Sequence, residues 1–169
     1  MAITRRAFCI LAAGSLATLS GCGFHLRGSQ GEANLPFKTL YLGVADASSL
    51  GFELKRNIRA NGGTELVSDA KNADARLEVL SEVREKLIQS LNSQGRIRQY
   101  TLVYRLSFRV RGRTDAELLA PTEIVLKRDI SFNESQVLAK EAEEALLYRD
   151  MQTDLVQQIL RRLAALKPA

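Results

Sequence analysis

Two cysteines and one histidine in 169 residues remove several function classes at once. Two thiols cannot build the disulfide framework of a small secreted domain, and a lone histidine supports neither a histidine-rich metal site nor a histidine-pair mechanism. The chain also lacks a glycine-rich phosphate loop, metal-ligand spacing and a nucleophile elbow. Its longest uncharged, mostly apolar run, Ala7 to Leu19, is too short to span a bilayer. At 46% hydrophobic and 25% charged, the composition is that of a folded soluble domain, which excludes a disordered, collagen-like or polytopic membrane chain. Most enzyme classes lose ground on these counts.

What is present begins with an address. Thr4-Arg5-Arg6 precedes the Ala7–Leu19 run, giving the charged and apolar regions of an export signal, and Leu19-Ser20-Gly21-Cys22 has the form of a bacterial lipobox. Small residues before the cut fit a peptidase cleft, and the Cys22 thiol is the nucleophile that accepts the lipid. Thr4 to Phe8 also resembles a twin-arginine signal, so the export route stays open. Cleavage before Cys22 removes residues 1–21 together with Cys9, leaving 148 residues, one cysteine, no possible intrachain disulfide and a net charge of +3. Several acyl chains at about 0.8 kcal/mol per buried methylene make such an anchor effectively permanent. Gly23, not Asp, follows the cysteine, which favours the outer membrane, with the protein anchored on its periplasmic side. No cofactor is expected beyond the covalent lipid on Cys22.

Residues 22–36 read as an acylated tether, 37–166 as a single domain and 167–169 as a tail. Phe37 to Val44 is a first strand. Ser48 or Ser49 can cap a helix from Leu50 to about Ala60 that buries Leu50, Leu54 and Ile58 and stops at Asn61-Gly62-Gly63. Thr64 to Val67 is a short strand or extended link. Alternation then predicts a long hairpin, its first arm within 75–91 and its second turning Tyr100, Leu102, Tyr104, Leu106, Phe108 and Val110 inward. A further strand from about Thr122 starts behind Pro121. The last helix, about Val137 to Leu166, should bury Leu138, Ala142, Leu146, Leu155, Ile159, Leu163 and Leu166. The order β-α-(β)-β-β-β-α implies an α+β fold: a mostly antiparallel, mixed four-stranded sheet with two helices on one face and the other face wet.

A four-residue hairpin loop with the wet faces matched makes paired residue numbers sum to 187. Glu82 then faces Arg105, and Glu78 faces Arg109, on the exposed side; Tyr104 meets Val83, and Phe108 meets Val79, on the covered side. Arg84, Lys86, Glu82 and Glu78 all fall on the wet face in this register.

The positive charge is local. Between Arg84 and Arg113 there are eight basic residues and one acid, Glu85, leaving the rest of the mature chain at −4. With Arg105 and Arg109 neutralised by glutamates, Arg84, Lys86, Arg96 and Arg98 remain, mostly near the hairpin tip. The strand after the hairpin ends at that same edge, which brings the start of the last helix, and Lys140, beside it. Arginine forks and a lysine point charge above an apolar strand edge suit an anionic amphiphile. Nucleic acid is a poor alternative for an exported, lipid-anchored chain whose aromatics lie on the covered face. His25 sits three residues from Cys22 without an acidic partner nearby, and Glu141, Glu143 and Glu144 complement the helix dipole; neither group calls for catalysis.

These residues resemble the LptE family of outer-membrane lipoproteins. The resemblance rests on Cys22-Gly23-Phe24-His25-Leu26-Arg27, Asn61-Gly62, Tyr100-Thr101-Leu102, Leu138-Ala139-Lys140-Glu141 and Ile159-Leu160-Arg161-Arg162-Leu163. It implies a non-catalytic plug within the LptD β-barrel that supports barrel folding and binds lipopolysaccharide. The family's basic contact at the start of the last helix falls on Lys140. Its second contact, near the hairpin tip, falls on or close to Ser93, which is not basic, so Arg96 and Arg98 are the expected substitutes. Two other classes remain: an accessory lipoprotein of another envelope export machine with a protein ligand, and an envelope hydrolase using His25.

Overall fold

The computed structural model describes residues 35–167 with the exception of Asp46. Cys22, His25 and the signal segment lie outside these residues. Strand β1 (Thr39–Gly43) leads into helix α1 (Ser49–Asn61), followed by β2 (Glu65–Val67), β3 (Ala75–Leu91), β4 (Ile97–Gly112), β5 (Glu117–Ser131) and helix α2 (Val137–Ala164). The sheet has five strands in the order β2-β1-β3-β4-β5, where four were expected. The short segment after α1 supplies the fifth, as a three-residue edge strand parallel to β1 with Leu40 opposite Leu66. β1 is also parallel to β3, whereas β3, β4 and β5 are antiparallel neighbours.

Helix α1 begins and ends where its sequence directs. The Ser48 hydroxyl accepts from the Gly51 N–H at 3.2 Å, satisfying one of the free amides of the first turn. Gly62 adopts φ +69° and its N–H donates to the Arg59 carbonyl, a left-handed stop that a side chain would strain. Leu50, Leu54 and Ile58 are fully buried. Their faces meet Leu40, Leu77, Leu106, Phe108 and Val110 of the sheet and Leu155, Ile159 and Leu163 of α2 in one core.

Helix α2 departs from expectation in its first half. Its buried residues are Met151, Gln152, Leu155, Val156, Ile159, Leu160 and Leu163, all beyond its midpoint. Leu138 is 82% exposed, Leu146 51% exposed, and Ala142 is exposed as well. The apolar spacing is helical along the whole element, but its first half turns Glu144 and Tyr148 to β3, where they meet Lys86 and the Glu85 carbonyl, and leaves the leucine stripe outside. Pro121 also differs: it sits inside β5, where Ala120 and Pro121 bulge opposite Arg109 on an edge strand that needs no N–H there.

The hairpin holds the main correction. Glu78 faces Arg109 and Val79 faces Phe108 as expected, but Leu80 is then an extra residue, and Ser81 faces Ser107. Past this bulge the register moves by one, so that Glu82 lies opposite Leu106, Arg84 opposite Tyr104 and Lys86 opposite Leu102. A one-residue slip exchanges the faces of every following side chain. Arg84 and Lys86 therefore stand on the helix side of the sheet, while Val83 and Leu87 are exposed. Tyr104 meets Arg84, not Val83. Arg105, deprived of Glu82, lies 3.7 Å from Glu85 and 3.6 Å from Glu123, whereas Arg109 keeps Glu78 at 2.7 Å.

Candidate functional site

The hairpin tip closes through Asn92, whose side-chain Oδ1 accepts from the Gln94 and Arg96 N–H groups at 3.0 and 2.9 Å, with Gly95 at φ +76°. At the far end of β5, Asn133 Oδ1 accepts from the Ser135 N–H at 3.0 Å and starts a single 3-10 turn, Glu134–Gln136, that leads into α2. These two local caps place the tip loop and the start of α2 side by side. Phe132 lies between them, its ring meeting Tyr100 edge-on with centroids 5.4 Å apart.

Two adjoining concavities flank Phe132. One, of about 260 Å³, is lined by Arg96, Arg98, Asn92 and Glu134. The other, of about 220 Å³, is lined by Lys86, Lys140, Tyr100, Val137 and Glu141. Four of the five expected cations, Arg96, Arg98, Lys86 and Lys140, thus border one aromatic edge. Arg84 does not. It lies between α1 and α2, where its Nη2 donates to the Tyr104 hydroxyl at 2.8 Å and to Gln152 Oε1 at 2.9 Å.

Most of the tip cations already hold a carboxylate. Arg96 Nη1 lies 3.2 Å from Glu134, Lys86 Nζ 2.5 Å from Glu144, and Lys140 Nζ donates to Glu143 at 2.8 Å and to the Ser131 hydroxyl at 2.9 Å. Lys86 also stands 4.4 Å from the centroid of Tyr100. Arg98 has no ion-pair partner among the described residues. Glu141, Glu143 and Glu144 all lie beyond the first turn of α2, so Glu143 and Glu144 are counter-charges of the site and not the expected complements of the helix dipole. Ser93, in the tip loop, is exposed.

The Arg84 cluster has its own electrostatics. Burial pushes the Tyr104 hydroxyl far above its ordinary value, and its bond to Glu82 adds to the shift, so it stays protonated and donates to Glu82 Oε1 at 2.5 Å. Burial raises Tyr148 as well, with Glu144 adding to it, and the Tyr148 hydroxyl donates to the Glu85 carbonyl at 2.7 Å. The residues that sequence reasoning missed are Phe132 and Tyr100 at the tip and Gln152 and Tyr148 on α2.

A sequence model of the LptE family, described as lipopolysaccharide-assembly, matches residues 37–163. The LPS-assembly lipoprotein LptE of Pectobacterium atrosepticum is 28% identical over 162 residues, covering 94% of this chain and 85% of its own. Among solved structures, lipoprotein B of Nitrosomonas europaea superposes with a TM-score of 0.73 at 40% identity, covering 85% of this chain and 91% of its own. Rare lipoprotein B of Shewanella oneidensis does so at 0.66 and 25% identity, covering 75% and 94%. The family match spans residues 37–163, all five strands, α1 and α2 to its last turn, so that the chain belongs to the LptE lipopolysaccharide-assembly family.

Proposed function

We propose that this member of the lipopolysaccharide-assembly family is a non-catalytic outer-membrane lipoprotein, anchored through Cys22 on the periplasmic side, that fills the lumen of an LptD-type β-barrel and binds lipopolysaccharide at its hairpin tip. The observation that carries the reading is the gathering of Arg96, Arg98, Lys86 and Lys140 around Phe132 and Tyr100. Guanidinium and ammonium groups beside an aromatic edge match phosphates on an apolar carrier. Because Arg96, Lys86 and Lys140 already hold Glu134, Glu144 and Glu143, a phosphate binds by replacing one anion with another. The net gain per contact is small, and binding of this kind releases readily, which suits a protein that passes its ligand on.

Two measurements test the reading. Arg96→Glu combined with Lys140→Glu weakens lipid A binding roughly tenfold or more at low salt, since charge-assisted hydrogen bonds are exchanged for repulsion, while the thermal midpoint stays close to that of the parent. Unchanged affinity at both low and moderate salt removes the tip as the site. Isolation in mild detergent yields a stoichiometric large β-barrel partner; its absence removes the plug role and favours an accessory lipoprotein with a different protein ligand.

A further inference from the structure

A second cationic concavity lies away from the tip, between α1 and α2, with a volume of about 850 Å³. Arg56 of α1, Arg84 of β3 and Arg149 of α2 converge on it from three different elements, with Phe52 and Ala145 beside them. Arg84 is held in place by the fold. All its hydrogen bonds run through Nη2, to Tyr104, Gln152 and the Ser49 hydroxyl, and its guanidinium lies 4.5 Å from the centroid of Tyr104 and 5.8 Å from that of Tyr148. Its side chain nevertheless remains 39% exposed.

The groove differs from the tip in how its charge is met. Its one lining carboxylate, Glu53, is already engaged, accepting from Gln152 Nε2 at 2.7 Å and from the Thr153 hydroxyl at 2.8 Å. Arg56 reaches Glu53 only at 3.9 Å with its side chain 78% exposed. Arg149 has no ion pair among the described residues. Glu82, behind Arg84 at 3.6 Å, is bound to the Tyr104 hydroxyl. Three arginines thus share two carboxylates that are both committed elsewhere. Phe52, 62% exposed, gives the mouth an apolar side, and Leu138, Ala142 and Ala145 extend it as an exposed stripe along α2.

We infer that the α1–α2 groove is a second anion site, which takes a phosphate-bearing amphiphile: Arg56, Arg84 and Arg149 hold the phosphate, and Phe52 with the α2 stripe receives the first carbons of its apolar tail. Arginine forks bind phosphate bidentately, and Arg84, already fixed, loses little freedom in doing so. Arg149 lies nine residues beyond Lys140, about 13 Å along the helix, so the groove is separate from the tip.

The test uses the full chain in neutral dodecyl maltoside micelles, reading the arginine Nε–Hε signals by NMR. Doping the micelles with dodecyl phosphate shifts the signals of Arg56, Arg84 and Arg149 and that of the Phe52 ring, whereas the same fraction of dodecanol leaves the arginines unmoved. Arg56→Ala with Arg149→Ala, both on the rim, weakens the Arg84 response roughly tenfold without lowering the thermal midpoint. Arg96→Glu with Lys140→Glu leaves the groove response in place, so failure of the tip reading and failure of this one are told apart. An Arg84 signal unmoved by dodecyl phosphate, or equally moved in the rim variant, overturns the site. Inorganic phosphate acting as strongly as dodecyl phosphate overturns the amphiphile and leaves a free-phosphate site.

Discussion

Leu80 is the unpaired residue of the β3 bulge, so deleting it straightens the ladder and leaves what lies beyond it in place. With Val79 still opposite Phe108, Ser81 follows opposite Ser107 and Arg84 opposite Tyr104, the pairs already present. The fully buried Tyr104 keeps both its Glu82 acceptor and its Arg84 donor, and Lys86 stays over the Tyr100 ring. The loss is confined to one leucine, 46% exposed, and to the local twist, a cost of about 1 kcal/mol or less, which lowers the thermal midpoint by no more than about 4 °C for a domain of this size. A hairpin without the bulge gives the opposite result. There Leu80 is a paired residue, and removing it turns every later side chain of β3 to the other face, driving Arg84 and Lys86 under the helices in place of Val83 and Leu87 at a cost of about 3 kcal/mol or more. Urea or thermal unfolding of the deletion beside Leu80→Ala measures it. The substitution keeps the residue count and, at an exposed position, changes stability by less than about 0.5 kcal/mol. A deletion that loses about 3 kcal/mol or more relative to that substitution refutes the bulge, and with it the placement of Arg84 and Lys86 beneath the helices.

Further outcomes follow from the same geometry. A double-mutant cycle on Glu78 and Arg109 gives a coupling of about 0.3–1 kcal/mol, while the same cycle on Glu82 and Arg105 gives none; the reverse result restores the regular register. Leu155→Ala costs about 2–5 kcal/mol in denaturant unfolding because it empties a fully buried site, whereas Leu138→Ala is neutral to within about 0.5 kcal/mol; equal losses refute the exposure of the Leu138 face of α2. Asp74 is held below the ordinary carboxylate value by the Thr39 N–H, which donates to it at 3.0 Å, and by the Thr39 hydroxyl. Since its folded value is depressed, its contribution is present above the unfolded value and lost as pH falls through the folded one. Asp74→Asn should therefore flatten the acid limb of a stability–pH profile below about pH 4; parallel profiles in parent and variant count against it.

Much of this fold is legible in the sequence because its signals are local. The Ser48 cap, the Gly62 stop and the Leu50-Leu54-Ile58 stripe define α1 without reference to anything else. The inward face of β4 is equally plain, since Leu102, Tyr104, Leu106, Phe108 and Val110 alternate without a break. The edge position of β2 is not legible, because three residues carry no alternation, and pairing with β1 depends on the crossover through α1. At the tip, the cations could be found by charge and topology, but the glutamates that hold them could not. Glu143 and Glu144 lie beyond the first turn of α2, and their role as counter-charges depends on where the helix sets them against Lys86 and Lys140.

The bulge at Leu80 shows why a charge pattern misleads here. Alternation assigns Glu82, Arg84 and Lys86 to water because it assumes the covered face of a strand to be apolar. The structure covers that stretch with a polar stripe instead. Glu144, Tyr148 and Gln152 recur every four residues on one side of α2, and they meet Lys86, the Glu85 carbonyl and Arg84 in turn, running back along β3. Each partner is satisfied, so the pairing tolerates partial burial that an unpaired charge would not. The signal was present in the sequence as two matched polar series, one with period two and one with period four, and neither is informative alone. Their agreement also explains the exposed half of α2. With its sheet-facing side given to Glu144 and Tyr148, the stripe of Leu138, Ala142 and Ala145 points away from the core, and the same bulge that turns Arg84 toward the helices gives that stripe a cationic end.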